Sequence, residues 1–200
     1  MTDLGATAGV GQRIQSARRR RGIRSAAELA ASIPGNVVTA ATLQNIEAGR
    51  KIDISVSQIL NIAHALQIAP IYLLADIKDP NSVLDLPGLS DDVKQMPAVE
   101  FDAWISGGLG GAFEWSSSND QSERTQLAAL RELELLRREQ SRLTLLIDAS
   151  SNLALGTDSE LGVEAFSQKL ADTENQIKRL ADFLFSAGWD VSRWRHSSKR

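Results

Sequence analysis

Residues Thr39 to Arg50 read TAATLQNIEAGR, and this stretch decides what the first third of the chain is. Thr39 is placed to cap a helix that starts at Ala40, and Gly49 tolerates the left-handed backbone with which many helices stop. Between them Leu43 and Ile46 point one way and Ala41, Gln44 and Asn45 the other, because residues three and four apart share a helix face. A helix that only packs has no need of adjacent amides on its outer side. Short residues at one end and two amides behind them describe a surface that can come close to a partner and match its donors and acceptors.

The neighbouring segments repeat the same grammar. Val10 to Arg21 sets Val10, Ile14 and Ala17 on one stripe and ends at Gly22, a left-handed stop. Ser25 offers a cap oxygen with Glu28 three residues later, which predicts a helix over Ala26 to Ser32. Pro34-Gly35-Asn36 breaks it, and Val37 and Val38 lead into Thr39. Ser55 or Ser57 starts a fourth helix with Val56, Ile59, Leu60, Ala63 and Leu66 inward. Pro70 opens a short fifth, IYLLADI.

Five short helices in this order, with the pieces GQRIQSARRRRGIRSAAELAASI, TAATLQNIEAGRK, ISVSQILNIAHALQI and PIYLLADI, resemble the lambda-repressor-like (Cro/repressor, XRE-type) helix-turn-helix DNA-binding family over about residues 9–76. The I-E-x-G-R piece and the closing A-x-x-L-x-I are the most specific parts. The resemblance implies an all-α, five-helix domain, double-stranded operator DNA as partner, and transcriptional repression of the temperate-phage immunity or mobile-element type. It also pairs Arg18 with Glu47 as a structural ion pair between the first and third helices, which removes Arg18 from the DNA contacts. Two departures stand out. Ala26 occupies a position where the family usually carries a phosphate-touching Gln, and the turn Pro34 to Val38 is longer by about three residues.

The physical reading agrees with that expectation. A major groove admits an α-helix, amides suit adenine, and alanine methyls meet the thymine methyl. Thr39, Ala40, Ala41, Thr42, Gln44 and Asn45 are therefore the expected reading residues. Arg24 and Ser25, at the start of the second helix, favour a phosphate, where exposed amides and a positive helix end meet an anion. Arg50 and Lys51 lie past the reading helix and Asn36 in the turn, each placed for the backbone. Arg19 to Arg21 stay open between phosphate contacts and a solvated helix face.

Charge is distributed unevenly. Residues 1–76 hold eight Lys/Arg against five acids, 77–121 two against eight, and 122–200 twelve of each. A basic head followed by an acidic connector fits a domain that meets a polyanion and a linker that avoids it. The connector, 77–121, contains Pro80, Pro87, Pro97 and four glycines between 107 and 111, yet also Phe101, Trp104, Phe113 and Trp115. It reads as a linker that is partly docked, with a short helix between Lys94 and Ser106.

Residues 122–200 read as a long antiparallel helical hairpin. Leu127, Leu130, Leu133, Leu136, Leu143, Leu146 and Ile147 form one stripe. A turn over Ser150 to Ser159 leads to a helix from Glu160 to Ala187 with Leu161, Phe166, Leu170, Ile177, Leu180 and Leu184 inward and Thr173 interrupting. Such a hairpin has a seam to spare, so Leu133, Leu136, Leu143, Ile147, Leu170, Ile177, Leu180 and Leu184 are the expected oligomerisation residues of a homodimer through 122–187. A protein partner is the alternative, in an antitoxin-like autoregulator. The tail GWDVSRWRHSSKR is open between hairpin-end packing and a second DNA contact.

Other classes find little support. Cysteine is absent, so neither disulfides nor thiolate metal sites arise. His64 and His196 are far apart, and His64 falls at the edge of a buried stripe. Gly107 to Gly111 lacks a P-loop Lys and a preceding strand. No cofactor, no metal and no catalytic residue is expected. Neither a secretory signal nor a membrane span is recognisable, which points to the cytoplasm.

Overall fold

A computed structural model describes residues 9–108, 118–153 and 157–195, and the described residues are all-helical. Among them no β-strand occurs; Val83 and Pro97 form an isolated bridge. They divide into two compact units, 9–106 on one side and 118–195 with Gly107 and Gly108 on the other.

The first unit begins with α1 (Val10–Arg20), α2 (Ala26–Ala31), a 3-10 turn (Pro34–Asn36), α3 (Ala40–Glu47), α4 (Val56–Ala65) and α5 (Ile71–Leu74). The starts of α2, α3 and α4 are each fixed by a side chain that satisfies an orphan amide, whereas α1 starts at Gly9 without one. Ser25 Oγ accepts from Glu28 N, Thr39 Oγ1 from Thr42 N, and Ser55 Oγ from Gln58 N. The Gln58 side chain returns a bond to Ser55 N, completing a capping box. Ile14, Leu29, Val38, Leu43, Ile62, Leu66 and Leu73 lose all solvent exposure in one core. Helix α3 packs against both α2 and α1. The α1 contact is backbone to backbone: a Cβ on Gly11 would fall onto the Ile46 carbonyl oxygen, so only glycine fits.

Three expectations for this unit change. The fourth helix turns Val56 and Leu60 outward, 75% and 50% exposed, and buries Ile62 with Ile59, Ala63 and Leu66. His64 is exposed, so it has no place in the buried stripe. The boundary at 76 moves to 106, because the segment after α5 builds a core of its own. Ala75, Leu84, Met96, Ala98 and Phe101 are buried together, with Trp104 packed against them. Arg13 ties this segment to α1: its guanidinium donates to both Asp85 oxygens at 2.8 and 2.7 Å and to the Leu73 and Leu74 carbonyls. The short helix expected between Lys94 and Ser106 is α7 (Ala98–Ile105), opened by Pro97, and a further turn of helix, α6 (Asp91–Lys94), precedes it. Phe113 and Trp115 lie outside the described residues.

In the second unit α8 (Ser118–Leu153) and α9 (Thr157–Ser186) are followed by α10 (Ser192–Arg195). Both long helices run into the stretch expected as a ten-residue turn, leaving 154–156 outside the described residues. Side-chain bonds from Trp189 to Gln126, from Gln140 to Glu174 and from Lys169 to Glu139 fix an antiparallel register. Apolar residues alternate at spacings of four and three, the coiled-coil seam. Leu133, Leu143, Ile177 and Leu184 are buried in it, and Leu136, Ile147, Leu170 and Leu180 are half-buried. Within a single chain four of those eight residues are thus buried and four keep part of their surface. Among the described residues of this unit, the large apolar side chains that remain exposed are Leu135, Leu145, Phe183 and Phe185. Thr173, 5% exposed, returns its hydroxyl to the Lys169 carbonyl, and the half-buried Gln140 donates to the adjacent Glu174, polar groups of the kind that set register. Val191 is buried at the open end, with Trp189 and Trp194 packed beside it, so the tail as far as Trp194 is packing.

Candidate nucleic-acid interface

Helix α3 is held from beneath and open above. Leu43 and Ile46 are 0% and 1% exposed, whereas Ala41 and Gln44 face solvent and Ala40, Thr42 and Asn45 are half-buried. The orientation is pinned by Arg18, whose Nε and Nη2 each donate to Glu47 at 2.7 Å, while its Nη1 donates to the Ile23 carbonyl at 2.9 Å. Both side chains are nearly buried, 6% and 7% exposed. The Glu47 hydrogen bond holds the Arg18 guanidinium above its ordinary pKa against the opposing effect of burial. This is the pair the resemblance implies, and it acts as a brace between α1 and α3.

Around α3 the expected contact residues fall into two groups. Arg24, Ser25, Asn36, Thr39 and Arg50 are exposed, Asn36 with a positive φ of 52° in the turn, and Lys51 is half-buried. Several of them already have local partners. Thr39 and Thr42 share a hydroxyl contact of 2.9 Å, so the cap orients both. The Asn45 side-chain oxygen accepts from Arg50 Nε at 3.0 Å, and its backbone carbonyl accepts from the Arg50 and Lys51 amides. Asn45 therefore organises the end of α3, and Gln44 is the amide that projects from it. At the start of α2 the Glu28 carboxylate accepts from the Arg24 amide at 2.8 Å. A carboxylate already sits at that helix end, which weakens the attraction expected there for an anion.

The arginine run separates as well. Arg19 and Arg20 are exposed, whereas Arg21 donates to the Gln67 carbonyl at 2.8 Å and ties α1 to the end of α4. Spacing could not have revealed this, because the bond spans 46 residues. Among the described residues no group of three or more His, Asp or Glu side chains could hold a metal ion. No described helix is long and apolar enough to cross a membrane. No protein-family model, curated protein or solved structure matches the chain.

Proposed function

We propose that the chain is a sequence-specific DNA-binding repressor, of the temperate-phage immunity or mobile-element type, that occupies operator DNA in the cytoplasm and excludes polymerase. One observation carries the reading. Helix α3 is buried along Leu43 and Ile46, braced by Arg18 and Glu47, and exposes Ala41 and Gln44 with Thr39, Asn36 and Arg50 around them. That face has the width, the small leading residues and the donor–acceptor group that major-groove readout requires. Arg24, Arg50 and Lys51 supply the cations for phosphate.

Neutralising three phosphates per head should give log affinity against log salt a slope of about −3, and about −5 for two heads. Fluorescence anisotropy with duplexes selected from a random pool measures it. Binding that ignores salt, or no binding at all, would remove the proposal.

A dimer would bring two heads to half-sites about one helical turn apart or more. With the hairpin seam closed within one chain, such a dimer would draw on Leu135, Leu145, Phe183 and Phe185. The same exposed side chains favour the second reading, an antitoxin-like autoregulator whose hairpin holds a protein partner. Light scattering separates the two: a self-associated species that binds operator supports the first, a monomer that co-purifies with a stoichiometric partner the second.

A further inference from the structure

Two apolar residues that helical spacing would bury, Val56 and Leu60, stand exposed on α4, and Ile52, 65% exposed, precedes them. Of these, Ile52 and Val56 border an open groove of about 470 Å³ within the first unit. Its floor is Val10, Ile59 and Leu74, its near rim Ile52 and Val56, and its far wall the 86–89 loop, Leu-Pro-Gly-Leu. That loop is held close by the bidentate Arg13–Asp85 bridge, so the wall is fixed on the residue before it. Asp53 is the one ionisable residue among those that line the groove. Among the described residues no hydrogen bond or ion pair engages its carboxylate.

A volume of this size lies within the range of small-molecule sites, which are apolar with a few polar groups that set orientation. Asp53 is exposed and keeps its water beside a neutral ligand, whereas its carboxylate would repel an anionic head and attract a cationic one. We propose that the groove is a binding site for a small amphiphile with one cationic head, its apolar body between Val56 and the 86–89 loop and its ammonium or guanidinium beside Asp53. The near rim follows directly on Arg50 and Lys51, so an occupant would lie next to the residues proposed to hold phosphate. The binding claim itself stands apart from the DNA reading and is tested without DNA.

The probes are 4-phenylbutylammonium, 4-phenylbutanol and 4-phenylbutanoate, which share a body and differ in head charge. Methyl NMR of the full chain, read at Ile52, Val56 and Leu86, follows each titration. The ammonium should saturate and bind about threefold or more tighter than the alcohol, with the carboxylate weakest, the modest ratio expected of an exposed ion pair. Asp53→Asn should equalise ammonium and alcohol. Val56→Ser, at a solvent-facing position, should weaken both by about threefold through lost apolar contact. Three results would overturn the proposal: no saturable shift with any probe, a head-charge preference that survives Asp53→Asn, or a light-scattering dimer that Val56→Ser dissociates. The last would assign the groove to a second copy of the chain.

Discussion

Replacing Glu47 with alanine removes the carboxylate that accepts two 2.7 Å hydrogen bonds from Arg18, and leaves a guanidinium whose side chain is 6% exposed. The Ile23 carbonyl still accepts from Nη1, but Nε and Nη2 lose their acceptor in a site closed to water. Breaking one side of a buried pair in this way costs about 3–5 kcal/mol, mostly the stranded charge. That is a large share of the roughly 5–15 kcal/mol by which a domain is stable. For a unit near 100 residues it corresponds to a fall in Tm on the order of 20 °C. Calorimetry of the full chain gives the shift, and hydrogen exchange over 39–50 locates it. The Leu43 amide, bonded to the Thr39 carbonyl, and the Ala48 amide, bonded to Gln44, should lose protection first. Removing both charges, as Arg18→Met with Glu47→Leu, should recover most of the loss, since apolar replacement of a whole buried pair is often neutral or better. A loss under about 1 kcal/mol for Glu47→Ala would show a pair that behaves like a surface one and would refute the brace. A double variant as unstable as the single one would refute the stranded-charge origin.

Three further outcomes follow from the packing. Gly11→Ala drives a Cβ onto the Ile46 carbonyl oxygen, so α1 and α3 must separate; a loss of about 1–3 kcal/mol in urea denaturation is expected, and no change would mean the helices do not touch there. Asp85→Ala should speed hydrogen exchange over 84–101 more than over α3, because Arg13 then loses the acceptor that ties that segment to α1; equal change in both would contradict a separate small core. In the hairpin, hydrogen bonds from Arg142 and Lys169 hold Glu139 down to about 2 from an ordinary 4.5. A depressed carboxylate stabilises fully above its unfolded value and loses that contribution as pH falls toward the folded one. Hairpin stability should therefore decline between about pH 4.5 and 2, and Glu139→Gln should flatten that part of the profile; an unchanged profile would show that the ion pairs add nothing.

Local chemistry was readable from sequence, and long-range chemistry was not. The starts of α2 and α3 followed from Ser25 and Thr39, because a cap acts within four residues, and that of α4 was narrowed to Ser55 or Ser57, of which Ser55 is the cap. The burial of Leu43 and Ile46 followed from periodicity alone. The core around Leu84, Met96 and Phe101 could not be read, because its members come from a loop and two short helices in proline-bearing sequence with no repeating spacing. Within α3 the two adjacent amides looked equivalent, and only the fold shows Asn45 turned to Arg50 five residues on while Gln44 stays exposed. On α4 the spacing rule overreached. Val56 and Leu60 are apolar at helical intervals, but the core already takes Ile59, Ile62, Ala63 and Leu66. In the hairpin the stripe was legible, whereas its partner was not, since one seam can close within a chain or between chains with the same residues.

The measurement that bears most directly on the account is the Gln44→Ala variant titrated in parallel on a selected operator duplex and on random duplex DNA at one salt concentration. The account predicts a loss of about 1–3 kcal/mol on the operator, relaxed base preference, and unchanged affinity for random DNA. Equal losses on the two duplexes, or no loss on either, would contradict a reading role for α3.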